Sequence, residues 1–382
     1  MTEIIYSGKL EDRLGSKVSY KSAKETFWEA IKIHYKLLKN KSRIGYFFID
    51  PLINNFEAAN KFYFRVFDCQ SICKINTYKS GAGPIQALSD AKELINYDLY
   101  DAVFIFGYEP LLTNKQIYGK EAITQAMRIF PDKSILECYN HLAKNLCRKH
   151  CLSEDEFIFL CDQLYLNYKK TYENILGLEV EGKRGKTLSD LGANLFQLTD
   201  CANPNIDFSG GIIVTSKKTS KLLQIPENKK VKVTGASYCM VQGSPQRIDE
   251  IVGKKGNIFP HLKTAVKAAA NQSNLNVVQE FKKGNLYLEA YTCYPPIPMA
   301  FLLATEIVGD MAQLPAILKD YEITITGGMN FAKAPWNNPA LNGVIEMYQK
   351  LKNAKKSSYG LVHGNGGIGE VQGVAIFKTS NN

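Results

Sequence analysis

Two stretches near the carboxyl terminus decide the fold: Thr326-Gly-Gly-Met-Asn-Phe-Ala-Lys-Ala-Pro335 and Gly360-Leu-Val-His-Gly-Asn-Gly-Gly367. Each contains a pair of adjacent glycines, which lack a β-carbon and tolerate tight backbone turns. The apolar segment Ile323-Thr-Ile325 precedes the first pair, and Val374 to Phe377 follows the second. The pattern predicts strands that end in glycine loops, where the backbone packs closely against another segment or a ligand.

The first half of the chain has the same arrangement. Ile44 to Ile49 and Ala102 to Phe106 are apolar runs of strand length, and Ile85 to Asn96 has the periodicity of an amphipathic helix. The loop Ser80-Gly-Ala-Gly-Pro84 precedes that helix. Strands that alternate with helices in this way predict an α/β fold with a mostly parallel sheet covered by helices.

The pattern divides the chain into four segments. Residues 1–118 form the first part of an amino-terminal half, and 119–205 is a charge-rich helical insertion. Strands return in 206–235 and complete the first half, and 236–382 repeats the architecture. The prediction is therefore two similar βαβαβ halves with a helical insertion, and no sequence identity between the halves is visible.

Composition excludes several classes of protein. The 382 residues are 45% hydrophobic and 22% charged, which is typical of a folded chain with a sizeable core. The net charge of +10 favours anionic partners, but no basic run is interleaved with aromatic residues, so nucleic-acid binding is not predicted. The longest apolar stretch, Pro295 to Ala304, is half the roughly 20 residues that a membrane-spanning helix needs.

The cysteine content and the amino-terminal residues indicate the cellular compartment of the protein. The first residues, Met1 to Leu14, have no apolar core of a secretory signal. Nine cysteines, an odd number in a long chain, favour reduced thiols, so a cytoplasmic location is expected. Cys147, His150 and Cys151 lie close together but fit no C-x-x-C spacing. Because Ile135 to Lys170 has helical periodicity, these residues are expected on helix faces, and no metal site is predicted.

The two glycine stretches resemble the carboxyl-terminal signature of the thiolase superfamily. In that family an N-x-x-G-G loop leads into a G-H-P turn, and a later G-L-x-x-x-C-x-G-G loop closes the active site. Asn285 to Pro295 lies where the family has its N-E-A-F segment, and Ser209 to Ser216 resembles its D-G-A-A-A strand. The order of these motifs agrees from about Lys9 to Phe377. The resemblance implies a layered α/β/α/β/α sandwich with a loop-domain insertion.

The chain is most similar to a divergent bacterial, acetyl-CoA acetyltransferase-like branch of the family. In that branch N-E-A-F becomes Y-S-C-F-P, which is matched by Tyr291-Thr-Cys-Tyr-Pro295. The G-H-P turn becomes G-G-P-W-N-N, matched by Lys333 to Asn338, and the last loop reads A-N-G-G, matched by Gly364 to Gly367.

The usual catalytic residues of the family are absent. The region of its nucleophilic cysteine reads Asn76 to Pro84 in this chain and contains no cysteine. The family's histidine falls on Ala334, its second cysteine on Asn365 and its asparagine on Tyr291. Because alanine and asparagine exchange no proton near neutral pH, the standard Claisen condensation is not expected to run by its usual route.

Two other residues are candidates for catalysis. Cys293 and His363 belong to loops that line the active site in the family, and a thiol beside a base is the minimum for acyl transfer through a thioester. The alternative is that Cys293 is a small buried hydrophobic residue. Substrate-binding candidates are Tyr291, Asn365 and the glycines whose N–H groups could face a thioester carbonyl, Gly327, Gly328, Gly366 and Gly367. Tight packing at strand ends is the alternative for the glycines.

The resemblance also suggests ligands and partners. The family's loop domain holds the ADP end of coenzyme A, so Lys183, Arg184 and Lys186 are candidates for its phosphates. Coenzyme A thioester is then a substrate or ligand, and no permanently bound cofactor is expected. A homodimer or larger assembly is expected, with Phe62 to Ile75 at the interface. The predicted function is a thiolase-like acyl-CoA acyltransferase with an altered site. The alternative is an inactive CoA-ester-binding pseudoenzyme or a heteromeric partner subunit.

Overall fold

The structure is a computed structural model that describes residues 1–15, 19–53, 58–68, 75–128, 130, 132–182, 184–241 and 259–380. Its strands are, in chain order, β1 Thr2–Asp12, β2 Ile44–Ile49, β3 Ile75–Tyr78, β4 Ala102–Pro110, β5 Thr187–Leu188, β6 Ala193–Gln197, β7 Asp207–Ser216, β8 Val231–Met240, β9 Leu286–Glu289, β10 Tyr359–Gly366 and β11 Val371–Thr379. The predicted α/β class is confirmed.

The helices alternate with these strands. They are α1 Tyr20–Thr26, α2 Trp28–Lys39, α3 Ala58–Phe67, α4 Gly83–Asn96, α5 Leu111–Ala126, α6 Ile135–His150, α7 Glu154–Leu176, α8 Lys217–Leu222, α9 Pro260–Ser273, α10 Val277–Lys282, α11 Pro296–Ala304, α12 Leu314–Asp320, α13 Gly328–Phe331 and α14 Pro339–Lys352.

Nine strands form one sheet in the order β3-β2-β4-β7-β1-β8-β11-β10-β9. In the part of the chain that the structure describes, β2 pairs in parallel with β3 and β4, and β10 pairs in parallel with β9. All other pairs of this sheet are antiparallel. The predicted mostly parallel sheet is therefore wrong. One reason is the short turn between β10 and β11, which permits only antiparallel pairing.

Two helices lie between the halves of the sheet. Helix α4 contacts β4 and β7 of the first half and β8 and β11 of the second, and α14 likewise contacts strands of both halves. Both helices bury most of their surface, and α4 has small residues such as Ala87 and Ala91 in its core positions. This layering places the amino-terminal end of α4 in the interior, where loops of both halves meet.

The inserted segment is helical and has clear end signals. Ser134 and Ser153 cap α6 and α7, each with a glutamate three residues later that bonds back to the capping residue. Cys151 (φ 55°) ends α6, so the segment with helical periodicity at 135–170 is formed by two helices, α6 and α7. Among the described residues no group of three or more His, Cys, Asp or Glu could hold a metal ion. The four predicted segment boundaries stay a prediction.

The predicted strand Ile323–Ile325 is not formed. The backbone N–H groups of Ile325 and Thr326 donate to the Glu289 carboxyl, at 2.7 and 3.2 Å, and that of Ile323 donates to Asn167 Oδ1. Because buried side chains accept these hydrogen bonds, the segment needs no neighbouring strand. Burial raises the pKa of Glu289 to about 7, against the opposing effect of its hydrogen bonds.

Candidate active-site cavity

Four segments meet in the lining of an open cavity of about 340 Å³ at the amino-terminal end of α4. They are the turn between β3 and α4, the segment that follows β9, the turn before α14, and the end of β10 with the turn that follows it. The residues that these segments contribute are Lys79, Ser80, Gly81, Tyr291, Cys293, Tyr294, Ala334, Trp336, Asn337, Asn365 and Gly367. Tyr291, Ala334 and Asn365, the positions where the resemblance places three functional residues, thus line one cavity.

The Cys293 thiol lies in this cavity without a base beside it. Its Sγ is 3.7 Å from the Tyr139 hydroxyl and 3.9 Å from Asn365 Nδ2. The residue is 7% exposed. Burial raises the pKa of the thiol to about 12, so the sulfur is protonated at neutral pH. A protonated thiol is a poor nucleophile.

His363 does not pair with Cys293, which corrects the expected thiol–imidazole pair. Its Nε2 bonds Gln372 Oε1 at 2.8 Å, and its Nδ1 has no partner among the described residues. The ring stacks on Phe301 with centroids 4.7 Å apart and planes at 7°. Burial lowers the pKa of the imidazole to about 4, so it is neutral near pH 7. His363 and Asn365 lie two residues apart on β10 and so face the same side of the sheet, and the Asn365 amide, not the imidazole, is the group near Cys293.

A buried chain of hydrogen bonds connects His363 with the cavity. Gln372 Nε2 donates to Asn365 Oδ1 at 2.6 Å, and Asn365 Nδ2 donates to the Tyr139 hydroxyl at 3.2 Å. Tyr139 in turn donates to the backbone oxygen of Gly367 at 2.9 Å. Every bond in this chain points the same way, so the Asn365 amide is fixed with its NH₂ group toward Tyr139 and Cys293.

The tyrosines supply the remaining polar groups. Tyr139 and Tyr294 stack with ring centroids 4.0 Å apart. The Tyr291 hydroxyl faces Gly81, where a β-carbon would overlap it, and it has no hydrogen-bond partner among the described residues. Burial raises the pKa of Tyr291 well above its usual value, so this hydroxyl is a donor and not an anion.

The four glycines have different surroundings. Gly367 lines the cavity (φ 64°), while Gly327, Gly328 and Gly366 lie outside its lining. A β-carbon at Gly327 (φ 83°) would lie 2.5 Å from Tyr172 Cβ, and the N–H of Gly328 already donates to Thr326 Oγ1. For Gly327 and Gly328 these contacts favour the alternative of close packing. The oxyanion role of all four stays a prediction.

Sequence reasoning missed Ser80 and Tyr139. Ser80 follows β3 directly, lines the cavity, and its Oγ donates to Gln86 Oε1 at 3.3 Å. The strand, glycine turn and helix order around it was the signal, because that turn is where the resembled family keeps its nucleophile. Tyr139 comes from the inserted segment, and no sequence signal brings it to this cavity.

Arg184 and Lys186, two of the candidates for coenzyme A phosphates, are not part of the cavity lining. Arg184 forms ion pairs with Asp162 and Asp200, and its guanidinium lies over the Tyr165 ring, 5.5 Å from the centroid. Its charge is thereby balanced within the chain. Lys186 is exposed, and Lys183 lies outside the described residues. The basic residues that do line the cavity are Lys79 and Arg128.

The chain has a thiolase fold. Neither a protein-family model nor a curated protein matches the sequence. Among solved structures, a monomeric SCP2-thiolase-like protein type 1 from Mycobacterium smegmatis is similar with a TM-score of 0.73 and 16% identity, over 100% of this chain and 78% of that one.

Two further structures agree in fold. The Ltp2–ChsH2(DUF35) aldolase has a TM-score of 0.72 and 11% identity, over 100% of this chain and 98% of that one. An acetyl-CoA acetyltransferase from Syntrophomonas wolfei has a TM-score of 0.65 and 12% identity, over 100% of this chain and 99% of that one.

No helix in the described part of the chain is long and apolar enough to cross a bilayer.

Proposed function

We propose that this chain is a thiolase-like acyl-CoA acyltransferase that holds a coenzyme A thioester in the cavity in front of α4. The observation that carries the proposal is that one cavity of about 340 Å³ is lined by residues of three segments that carry the resemblance, 285–295, 326–335 and 360–367, together with the turn between β3 and α4. The cavity has apolar walls with a few convergent polar groups, as expected for a small-molecule site. Coenzyme A enters and leaves as part of a substrate, and no permanently bound cofactor is proposed.

The positive charges and hydrogen-bond donors of the cavity lining suit a thioester of coenzyme A, which is anionic. Lys79 and Arg128 are cations of the lining, suited to coenzyme A phosphates. The unpartnered Tyr291 hydroxyl and the Asn365 amide can donate to a thioester carbonyl and stabilise negative charge on its oxygen during acyl transfer. A hydrogen-bond donor that is fixed in a buried site stabilises the oxyanion more than a water molecule does, because the donor needs little reorientation during the reaction.

The proposed reaction does not use a covalent cysteine intermediate. The acyl group passes directly from coenzyme A to a second substrate. The bond from the carbonyl carbon to the sulfur breaks, a bond to the acceptor's nucleophilic atom forms, and the acceptor's proton goes to the coenzyme A thiolate. The role of the chain is to bind both substrates and to stabilise the oxyanion through Tyr291 and Asn365.

The alternative is a CoA-ester-binding pseudoenzyme or a partner subunit of another acyltransferase. One observation favours it. The Cys293 thiol has its pKa raised to about 12 by burial, and the imidazole of His363 is bound to Gln372 instead. No activated nucleophile of the standard kind is therefore present among the described residues of the cavity.

Binding is tested by closing the cavity mouth. Ala126 is exposed and lines the cavity near the end of α5, and Ala122 lies one turn earlier, exposed but outside the lining. We expect Ala126→Phe to weaken acetyl-CoA binding at least tenfold in calorimetry, and the matched Ala122→Phe to leave it unchanged. Equal affinities in both variants would place the ligand elsewhere.

Transfer is tested by following coenzyme A release from bound acetyl-CoA in single-turnover reactions with thiol, hydroxyl, amine and enolisable acyl-CoA acceptors. The acyltransferase proposal expects release with one acceptor class, at least tenfold slower in Tyr291→Phe and unchanged in the exposed Tyr97→Phe. Binding without release in every case supports the pseudoenzyme instead.

Assembly and location complete the proposal. A homodimer is proposed because β3 is an edge strand of the described sheet, whose outer side is open for pairing. Of the predicted interface, Phe62 and Tyr63 are fully buried, Phe64, Arg65 and Asp68 are exposed and available for contact, and residues 69–74 lie outside the described residues. The seven described cysteines are all free thiols, in keeping with a cytoplasmic location. A single monomer species at micromolar concentration in sedimentation would contradict the dimer.

A further inference from the structure

A second cavity of about 550 Å³ lies behind the first one, between the inserted segment and α13. A backbone wall of residues 202–204 separates the two. Asn203 N donates to Met329 O at 3.0 Å, and Ala334 N donates to Asn203 O at 2.9 Å. Met329 and Ala334 line the first cavity, whereas Asn330 and Lys333 line the second. The two spaces therefore share a wall but have different polar groups.

Two cations face this second cavity. Arg13 donates from Nη2 to the backbone oxygen of Ala332, next to Lys333, and from Nη1 to the Tyr172 hydroxyl at 2.8 Å. The Glu11 carboxylate, with Oε2 3.2 Å from Arg13 Nη2, offsets part of the charge of Arg13. Lys333 has no ion pair among the described residues. Burial lowers the pKa of its ammonium group, and the nearby positive charge of Arg13 lowers it further. The lining also contains one carboxylate, Glu181, which is exposed.

The backbone of Lys333 adds a second observation. Its φ of 76° lies in the left-handed region, which disfavours every residue with a side chain except in special positions. A lysine held in such a conformation next to another cation is unfavourable for stability alone. Strain of this kind concentrates at ligand sites, because there the side chain is retained for what it binds.

The aromatic wall of the cavity offers a flat apolar face. Phe331 lies 5.6 Å from Tyr172 at an interplanar angle of 28°, and 5.3 Å from Tyr165. All three rings line the cavity. Rings arranged in this way accept a further planar group by offset stacking.

One acceptor in the lining lacks a donor. Asn330 Nδ2 donates to the backbone oxygens of Thr199 and Cys201, at 3.0 and 3.1 Å, which fixes the orientation of its amide. Its Oδ1 is buried without a partner among the described residues, and so is the Thr199 hydroxyl. A buried acceptor without a donor is unfavourable for stability, and because this oxygen is closed to solvent it is an unsatisfied group within the cavity wall and not itself a contact for a ligand.

We propose that this second cavity binds a nucleoside monophosphate, independently of the coenzyme A thioester in the first cavity. The phosphate lies between Lys333 and Arg13, where lysine and arginine suit phosphate oxygens. The base stacks on the ring of Phe331. The aromatic wall suits a planar ring and the two cations suit an anion, and a mononucleotide combines both.

The test uses AMP as the probe, in calorimetry with the full chain. We expect saturable binding of AMP, with adenosine and inorganic phosphate each at least tenfold weaker. Lys333→Gln should weaken AMP binding at least tenfold, whereas Lys221→Gln, an exposed lysine on α8, should not change it. Lys333→Gly serves as the folding control, because glycine removes the backbone strain; it should melt at or above the wild-type temperature and still lose AMP.

Competition separates this site from the first cavity. AMP should bind with unchanged affinity in Ala126→Phe and in the presence of saturating coenzyme A. Equal AMP affinity in wild type and Lys333→Gln overturns the proposal, and so does full competition by coenzyme A, which would assign AMP to the coenzyme A site. Loss of acetyl-CoA binding alone tests the proposed function and leaves the AMP result intact.

Discussion

The Cys293 thiol lies 3.7 Å from the hydroxyl of Tyr139, a residue of the inserted segment 154 positions away. The sulfur therefore sits among neutral hydrogen-bonding groups. Its pKa is raised to about 12 by burial, and the hydrogen bond with Tyr139 offsets only part of that effect. The same hydroxyl accepts from Asn365, so thiol, phenol and amide form one buried cluster at the centre of the cavity.

Alkylation should distinguish this thiol from an ordinary one. With iodoacetamide at pH 8 we expect Cys293 to react at least about 100-fold more slowly than Cys151, which is exposed at the end of α6. The reason is that a thiol with a pKa near 12 has little thiolate at that pH. Peptide mass spectrometry of samples quenched over time measures both rates. Similar rates for the two residues would contradict a buried, protonated Cys293.

The neutral imidazole of His363 predicts a pH dependence of stability. Its pKa is about 4 in the folded chain against 6.5 for the ordinary group, so between these values the unfolded chain binds the extra proton. The contribution of His363 to the unfolding free energy is fully present above pH 6.5. It is lost as the pH falls toward 4, by about 3 kcal/mol in all.

The experiment compares wild type with His363→Gln in urea at pH 7.5, 6.5, 5.5 and 4.5. The difference in unfolding free energy between the two proteins should shrink steadily below pH 6.5. His34, whose pKa burial also lowers to about 4, titrates in both proteins and cancels in the comparison. Parallel curves for the two proteins would show that His363 is not buried in its neutral form.

Gln372 holds the hydrogen-bond chain together, so its loss should be costly. It is fully buried and bonds both His363 and Asn365. Gln372→Met keeps the volume but leaves a buried donor and a buried acceptor without partners, which we expect to lower the unfolding free energy by about 2–4 kcal/mol. Urea denaturation measures it.

A matched control is Gln272→Met, at an exposed site where the side chain accepts from Lys92 and Ala236. We expect a loss below about 1.5 kcal/mol there. Equal losses at the two positions would mean that the buried hydrogen bonds from His363 to Tyr139 contribute no more to stability than the exposed hydrogen bonds of Gln272.

Arg184 should matter more for stability than for coenzyme A. It pairs with Asp200, whose side chain is 2% exposed, so Arg184→Gln leaves a buried carboxyl without its partner. We expect a loss of about 3 kcal/mol of unfolding free energy. Lys186→Gln, at an exposed site, should change stability by less than about 0.5 kcal/mol.

Calorimetry with coenzyme A completes this prediction. If the sequence-based assignment of the phosphate site is correct, Lys186→Gln weakens binding severalfold while stability stays constant. A variant of Arg184 that keeps full stability and loses coenzyme A affinity would contradict a structural role for the ion pairs of Arg184 with Asp162 and Asp200.

Sequence patterns predicted the regular elements with strong periodicity. The strand Ile44–Ile49 has its predicted bounds, and the helix expected at 85–96 is present within two residues. Strand β1 was missed because its apolar run, Ile4 to Tyr6, is short and is followed by Ser7 and Gly8, so no apolar run of strand length marks it. The strand expected at 323–325 was wrong because side chains of Glu289 and Asn167 accept its hydrogen bonds.

The sequence by itself determined the α/β fold, the order of its elements and the loops that form the cavity, because these follow from local periodicity and from glycines at turns. Only the tertiary structure decided which side chains meet. It separated His363 from Cys293, brought Tyr139 in from the inserted segment, and placed Lys333 beside Arg13. The physical reason is that contacts between distant segments depend on the packing of whole layers, and no local pattern records the depth at which a side chain is buried.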